Sequence, residues 1–298
     1  MASICLPHLA IERWAKASDC APDAPVVLTV EGPHGPIIHA VTAAAAERGA
    51  WTGARLTDAR AIDPALIAVP ADPAGDAELL QRLARWAGRW SPLVEVDGDD
   101  ALRLDAAGVA HLFGGEQGLA EDIHKRFAVL GLTARIAIAP TAAAAWALAR
   151  FPSPLEGEGR SSRREWKGEG ASRFVHAPSP RSAPLSRPLP QGERDYAAQL
   201  APLPVAALRL GPDTIRTLER LGLKTVGALT GIERRSLARR FREADNPVDA
   251  LDRALGRKPE PLTAVPAERP PRALLRLEEP ATHPEAGPQA LDRLVPML

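Results

Sequence analysis

The stretch RWSPLVEVDGDDALRLDAAGVAHLFGGE, from Arg89 to Glu116, constrains this 298-residue chain more than any other. Leu93–Val96 and Ala101–Leu104 carry the alternation of half-buried strands. Between them lies Asp97-Gly98-Asp99-Asp100, with a glycine where a tight turn needs one. The pattern predicts a β-hairpin with carboxylates at its tip. Carboxylates on neighbouring strands are what metal-dependent phosphoryl transfer uses to hold divalent cations. The plain alternative is a solvated acidic turn.

The residues before the hairpin alternate strands with helices. Ala2–Leu6 reads as a strand ended by Pro7, and Leu9–Ala17 as a helix. Val26–Val30 and Ile37–Val41 form a strand pair around a Gly-Pro turn. Ala43–Ala50 and Thr57–Ala61 are short helices, and Ile67–Val69 a brief strand. Asp76–Trp90 places Leu79, Leu80, Leu83 and Trp86 at helical spacing. Beyond the hairpin come a helix, Gln117–Gly131, a strand, Ala134–Ala139, and an Ala-rich helix, Thr141–Arg150. This rhythm predicts an α/β sheet domain over residues 1–151. His111–Glu116 lacks the Lys of a phosphate loop. It reads as a tight turn with Leu112 and Phe113 in the core.

The character changes at Pro152. Residues 152–195 are rich in Pro, Gly, Arg and Glu, and such a segment buries too little surface to offset its ordering entropy. It is expected to be a disordered insert. PSPLEGEGR near its start and SRPLPQGER near its end suggest the translation of a palindromic genomic repeat; an ordinary linker is the alternative. Order resumes at Tyr196 with a small all-α domain, residues 196–258, whose helices are Thr214–Leu221, Val226–Leu229, Arg234–Phe241 and Pro247–Leu255. A Pro-rich linker, 259–272, leads to a strand candidate, Ala273–Leu277, and a helix, Glu285–Leu298. One strand and one helix are too little for a domain, so 273–298 reads as the start of one cut short.

The whole chain has 37 basic and 37 acidic residues, so it carries no global field for nucleic acid. Leu208–Lys258 is locally basic, with 12 Lys and Arg against 7 Asp and Glu. Within it, Leu218–Leu229 reads as a helix-hairpin-helix. Gly222 allows the turn, the amides of the next helix's N-terminus suit a phosphate, and Lys224 adds charge. Arg234, Arg235, Arg239 and Arg240 crowd one short helix suited to backbone contact. The candidate DNA-binding residues are therefore Gly222, Leu223, Lys224, Thr225, Gly227, Arg235 and Arg239, a set that could also be a solvated cationic face. Cys5 and Cys20 lack metal-ligand spacing; Cys5 reads as a buried thiol. No apolar run reaches the roughly 20 residues of a membrane helix and no signal peptide is visible, so no membrane role and a cytoplasmic location are expected.

Several of these segments resemble the Y-family (translesion) DNA polymerases. The carriers are Asp100-Ala101 followed by Leu104-Asp105, the segment Leu221–Leu229, and Asp252–Arg257 followed by Pro259–Leu262. Ile4–Arg13 and Ala110–Glu116 look more like one subgroup, the ImuB-type proteins. The resemblance implies an α/β palm with reduced fingers, a helix-hairpin-helix thumb and an incomplete α+β little finger. Active members hold two Mg²⁺ with three carboxylates. Aligned through Glu12, their first-strand acids fall on Ser3 and Cys5, and the hairpin Glu on Ala101. Asp100 is the one retained match and a weak metal candidate; Pro7 and His8 replace an aromatic pair.

The resemblance thus implies a catalytically inactive, nucleoid-associated adapter in damage-induced mutagenesis, with no catalytic residue and no cofactor. Its implied partners are DNA, an error-prone replicative-type polymerase, a RecA-like accessory protein and the sliding clamp, the last three contacted through regions missing here. The alternatives are an active error-prone polymerase, using Mg²⁺ on Asp97, Asp99, Asp100 or Asp105, and a truncated non-functional copy. A metal hydrolase built on His8, His111 and the acidic turn stands further off.

Overall fold

The structure, a computed structural model, describes residues 1–21, 23–151, 193–241, 245–266 and 286–295. Strand β1 (Ala2–Cys5) leads into α1 (Leu9–Ala17). Then come β2 (Val26–Val30), β3 (Ile37–Val41), α2 (Ala43–Glu47), α3 (Leu56–Ile62), β4 (Ile67–Pro70) and α4 (Pro73–Ala87). The hairpin β5 (Val94–Val96) and β6 (Ala101–Leu104) precedes α5 (Glu116–Val129), β7 (Arg135–Ile138) and α6 (Ala142–Arg150). The helical region holds α7 (Glu193–Leu200), α8 (Pro212–Arg220), α9 (Val226–Thr230), α10 (Arg234–Arg240) and α11 (Pro247–Ala254). Residues Met1–Val265 form one compact unit. A second unit, Pro266–Leu298, contains α12 (Ala286–Leu294).

Two sheets organise the first unit. The larger runs β5-β6-β1-β7, antiparallel throughout; the smaller runs β3-β2-β4, with β2 and β4 parallel. Because strand side chains alternate, β1 has two different faces. Ala2 and Ile4, with Leu6 beyond the strand end, join Leu80 and Leu83 of α4, Leu102 and Leu104 of β6, and Leu119, Ile123 and Phe127 of α5 in one core. Burying each such side chain is worth roughly 1.5–3 kcal/mol. Ser3 and Cys5 face the other way, where Cys5 packs with Ala137 and Ala149.

Helix α6 belongs to two regions at once. Its alanines Ala143, Ala144, Ala145 and Ala147 pack in one cluster with Leu203, Leu218, Leu229 and Leu251 of the helical region. A stripe without bulk lets those helices approach closely. Thr141 caps α6 by accepting the Ala144 amide at 3.1 Å, and its hydroxyl donates to the Ala254 carbonyl at 3.0 Å.

The segment after α11 is pinned along β5. The Val265 amide donates to the Val94 carbonyl at 2.7 Å, and the Thr263 amide to Glu95 at 2.8 Å. Arg103, 9% exposed, reaches Glu95 at 2.7 Å, Glu260 at 2.9 Å and the Pro261 carbonyl at 3.2 Å.

The sequence reading needs four corrections. Helix α4 starts at Pro73, because Asp72 caps it by accepting the Gly75 amide at 3.0 Å, and it ends before Gly88. Helix α7 begins at Glu193, inside the expected insert. The first full helix of the small domain runs Pro212–Arg220 instead of Thr214–Leu221, and a 3-10 turn, Val205–Leu208, precedes it. Leu112 is 70% exposed; the single 3-10 turn Ala110–Phe113 packs Ala110 and Phe113 against the core and leaves Leu112 outside it. The remainder of the insert, 152–192, the linker's 267–272 and the strand candidate Ala273–Leu277 lie outside the described residues.

Candidate functional site

The acidic turn is the hairpin that the sequence predicts. The Asp97 amide donates to the Ala101 carbonyl at 2.8 Å, and Gly98 takes φ +70°, a conformation glycine adopts freely. Register then places the candidate metal positions side by side. Cys5 of β1 pairs with Ala101 of β6, Ser3 with Arg103, and the Leu6 amide donates to the Asp100 carbonyl at 2.7 Å. The backbone brings Ser3, Cys5, Asp100 and Ala101 to one end of the sheet.

These side chains do not fit a Mg²⁺ pair. Magnesium requires hard anionic oxygens in near-octahedral geometry. Ser3 is buried, and its hydroxyl has no hydrogen-bond partner. Burial pushes the Cys5 thiol up to about 11, despite the opposing pull of Arg150, so it is neutral at pH 7. Ala101 has no ligand atom. Among the described residues, no three His, Cys, Asp or Glu side chains are grouped to hold a metal ion. That also removes the hydrolase arrangement. His8 is half-buried, with its pKa lowered by burial and by Arg135, while His111 sits exposed on the 3-10 turn.

Arginines hold the carboxylates instead. Arg150, the last residue of α6, grips both oxygens of Asp100, with Nη1 to Oδ2 at 2.8 Å and Nη2 on Oδ1. Arg209 grips Asp97 in the same way, with Nη1 to Oδ1 at 2.9 Å and Nη2 on Oδ2. Such two-pronged pairs combine charge with fixed geometry. Both guanidinium carbons lie over the Trp146 ring, at 4.8 Å from its centroid for Arg150 and 4.5 Å for Arg209. Arg209 has φ +57°, the one non-glycine residue with positive φ among those described. A side chain in that region costs roughly 1–2 kcal/mol. Asp99 stays exposed, and Asp105 turns away to accept the Ala107 amide at 3.0 Å.

Linear reading misses Arg150, Arg209 and Trp146. The partners of the two arginines lie 50 and 112 positions away. The available signal was a cation ending an otherwise apolar, Ala-rich helix, which must reach water or an acid.

Helices α8 and α9 meet at a turn around Gly222, φ +80°, where the Leu223 amide closes back on the Leu218 carbonyl at 3.0 Å. The expected phosphate amides are taken, however. Val226 donates to the Leu203 carbonyl and Gly227 to the Ala201 carbonyl, both at 2.9 Å. The Ala228 amide goes to the Thr225 hydroxyl at 3.2 Å. Gly227 serves packing, since a Cβ there would meet Ala201 O at 3.0 Å and Ala201 Cβ at 3.1 Å. Lys224, Arg235, Arg239 and Arg240 are exposed, whereas Arg234 is committed to Asp252 at 2.8 Å. Leu223 and Thr225 are half-buried.

Residues 19–150 match the impB/mucB/samB family model. The ImuB proteins of two Caulobacter vibrioides strains, NA1000/CB15N and CB 15, are each 39% identical over 237 residues, or 80% of this chain. That alignment spans 44% of those proteins, so the chain covers about half the length of the curated relatives it matches. In fold, the chain is similar to DinB from Sulfolobus solfataricus, with TM-score 0.59 and 16% identity, covering 88% of this chain and 69% of DinB. It is also similar to Dbh DNA polymerase in an insertion ternary complex, with TM-score 0.63 and 16% identity, covering 88% and 68%. The sheet with its acidic hairpin is the palm of that fold. Sequence and architecture agree: the chain carries an impB/mucB/samB-family domain on a Y-family polymerase fold and is ImuB-like in sequence.

Proposed function

We propose that this chain is a non-catalytic DNA-binding adapter in damage-induced translesion synthesis. The observation that carries the reading is the palm itself. By the family resemblance, the acids of active members would fall on Ser3, Cys5 and Ala101; register sets Cys5 beside Ala101, and Asp100 is engaged by Arg150. Phosphoryl transfer by two metals needs those oxygens, and the chain does not supply them. An active polymerase built on Asp97, Asp99, Asp100 or Asp105 is disfavoured because Asp97 is gripped by Arg209, Asp100 by Arg150, and Asp105 is spent on its own turn, which leaves Asp99 alone.

DNA contact is assigned to the helical region as a thumb, through Lys224, Arg235 and Arg239, with Gly222, Leu223 and Thr225 shaping the loop. Phosphate contact by side chains is independent of sequence and falls with salt. An error-prone replicative-type polymerase, a RecA-like protein and the sliding clamp belong to the same proposal as partners, and a cytoplasmic, nucleoid-associated location follows from it. Among the described residues no helix is long and apolar enough to cross a membrane.

The test is DNA affinity against salt on a primer–template, with nucleotide incorporation followed in the same tubes. Salt-sensitive binding without incorporation is the expected result. Incorporation that disappears in Asp100→Ala would overturn the adapter reading, and absence of both binding and incorporation would point to a non-functional copy.

A further inference from the structure

The acidic turn is already met by positive charge. Two carboxylates, Asp97 and Asp100, face two guanidiniums, each gripped through both oxygens. The Nε atoms of Arg150 and Arg209 are buried without hydrogen-bond partners, so the paired terminal nitrogens carry the contacts that hold each group in place. Both cations rest on one indole, Trp146. Ala149, next to Arg150, packs on Cys5, and Cys5 is the register partner of Ala101. Helix α6 therefore delivers the Arg150 guanidinium to the same end of β1 and β6 where the missing acids would converge. The other cation comes from the helical region, through the strained backbone of Arg209.

We propose that this turn is a cation site filled by the chain's own arginines, which exclude divalent metal independently of the missing carboxylates. The inference rests on the non-catalytic reading of the palm and names what occupies the metal position. Loss of the acids removes ligands; the arginines also cancel the charge of the acids that remain. Returning carboxylates to β1 and β6 is then insufficient to bind metal while Arg150 stays.

The experiment uses Mn²⁺ as the probe, its free concentration read by electron paramagnetic resonance, on the full chain. Three forms are compared: native, Ser3→Asp with Ala101→Glu, and that pair with Arg150→Gln. The native chain and the pair should leave millimolar Mn²⁺ free. Adding Arg150→Gln should tighten binding at least tenfold. Equal affinity of the pair with and without Arg150 overturns the inference. New buried acids can prevent folding, so a second set adds no acid. Arg150→Gln with Arg209→Gln, checked for native circular dichroism, should bind Mn²⁺ at least tenfold more tightly than the native chain, and equal affinity again overturns it. Nucleotide incorporation by the native chain would defeat the adapter reading, whereas an unchanged Mn²⁺ affinity defeats this inference alone.

Discussion

Arg209 reaches Asp97 across 112 positions of sequence, joining the helical region to the tip of the palm hairpin with both terminal nitrogens of one guanidinium. Because Arg209 also has left-handed backbone, its side chain and its main chain make separable contributions. Arg209→Ala loses the ion pair and keeps the strain, and should cost about 2 kcal/mol, the scale of hydrogen bonds to a charged group. Arg209→Gly loses the pair and relieves the strain, so it should be about 1 kcal/mol less damaging than Ala. Urea denaturation of the two variants measures the difference, and equal losses would mean the backbone is unstrained.

Lys224→Ala with Arg239→Ala should weaken DNA binding without sequence preference, and the salt slope should fall by about one for each phosphate no longer neutralised. Unchanged affinity and slope would remove the helical region from the DNA interface.

Arg234 should behave differently from its helix neighbours. Its hydrogen bond to Asp252, with Arg257 and Lys258 nearby, holds the Asp252 carboxyl below its ordinary range against the opposing effect of burial. A depressed carboxyl stabilises the fold above about pH 4, the unfolded value, and that contribution is lost as pH falls through the depressed one. Acid titration of stability should therefore flatten in Asp252→Asn and in Arg234→Gln, while the DNA salt slope is unaffected by Arg234→Gln.

The two thiols should separate cleanly. Cys5 is 2% exposed, with its pKa raised by burial to about 11, while Cys20 is exposed. At about pH 8 an alkylating reagent should label Cys20 alone in the native chain and both in urea, as read by peptide mass spectrometry. Rapid native labelling of Cys5 would contradict its place beneath α6.

Gly227→Ala should cost about 1–3 kcal/mol, the usual penalty of overpacking, because its Cβ would press on Ala201. A thermal melt would show it, and an unchanged midpoint would mean that α7 and α9 have room to part.

Much of this fold is legible because it is local. Leu9–Ala17, Val26–Val30, Ile37–Val41 and Ala101–Leu104 follow from periodicity and appear with the bounds their side chains dictate. The start of α4 at Pro73 does not follow from periodicity, because its cap, Asp72, lies outside the apolar pattern. The absence of acids at Ser3 and Ala101 can be read directly, since absence needs no geometry. What fills their place cannot, because Arg150 and Arg209 find their acids only after α6 and the helical region have packed. The amides of Val226 and Gly227 are hidden from a linear reading for the same reason, their acceptors being supplied by Leu203 and Ala201 from the preceding segment.

The pinned stretch from Glu260 to Val265 has one more effect. Strand β5 ends its sheet, and an outermost strand with open amides and carbonyls is a template for another molecule. By occupying the Val94 carbonyl and holding Glu95, the chain guards that border with its own backbone. A version stopped before Glu260 would expose the border and remove one of the two acids that neutralise Arg103. Its failure would then appear first as concentration-dependent clumping, ahead of any loss of helices.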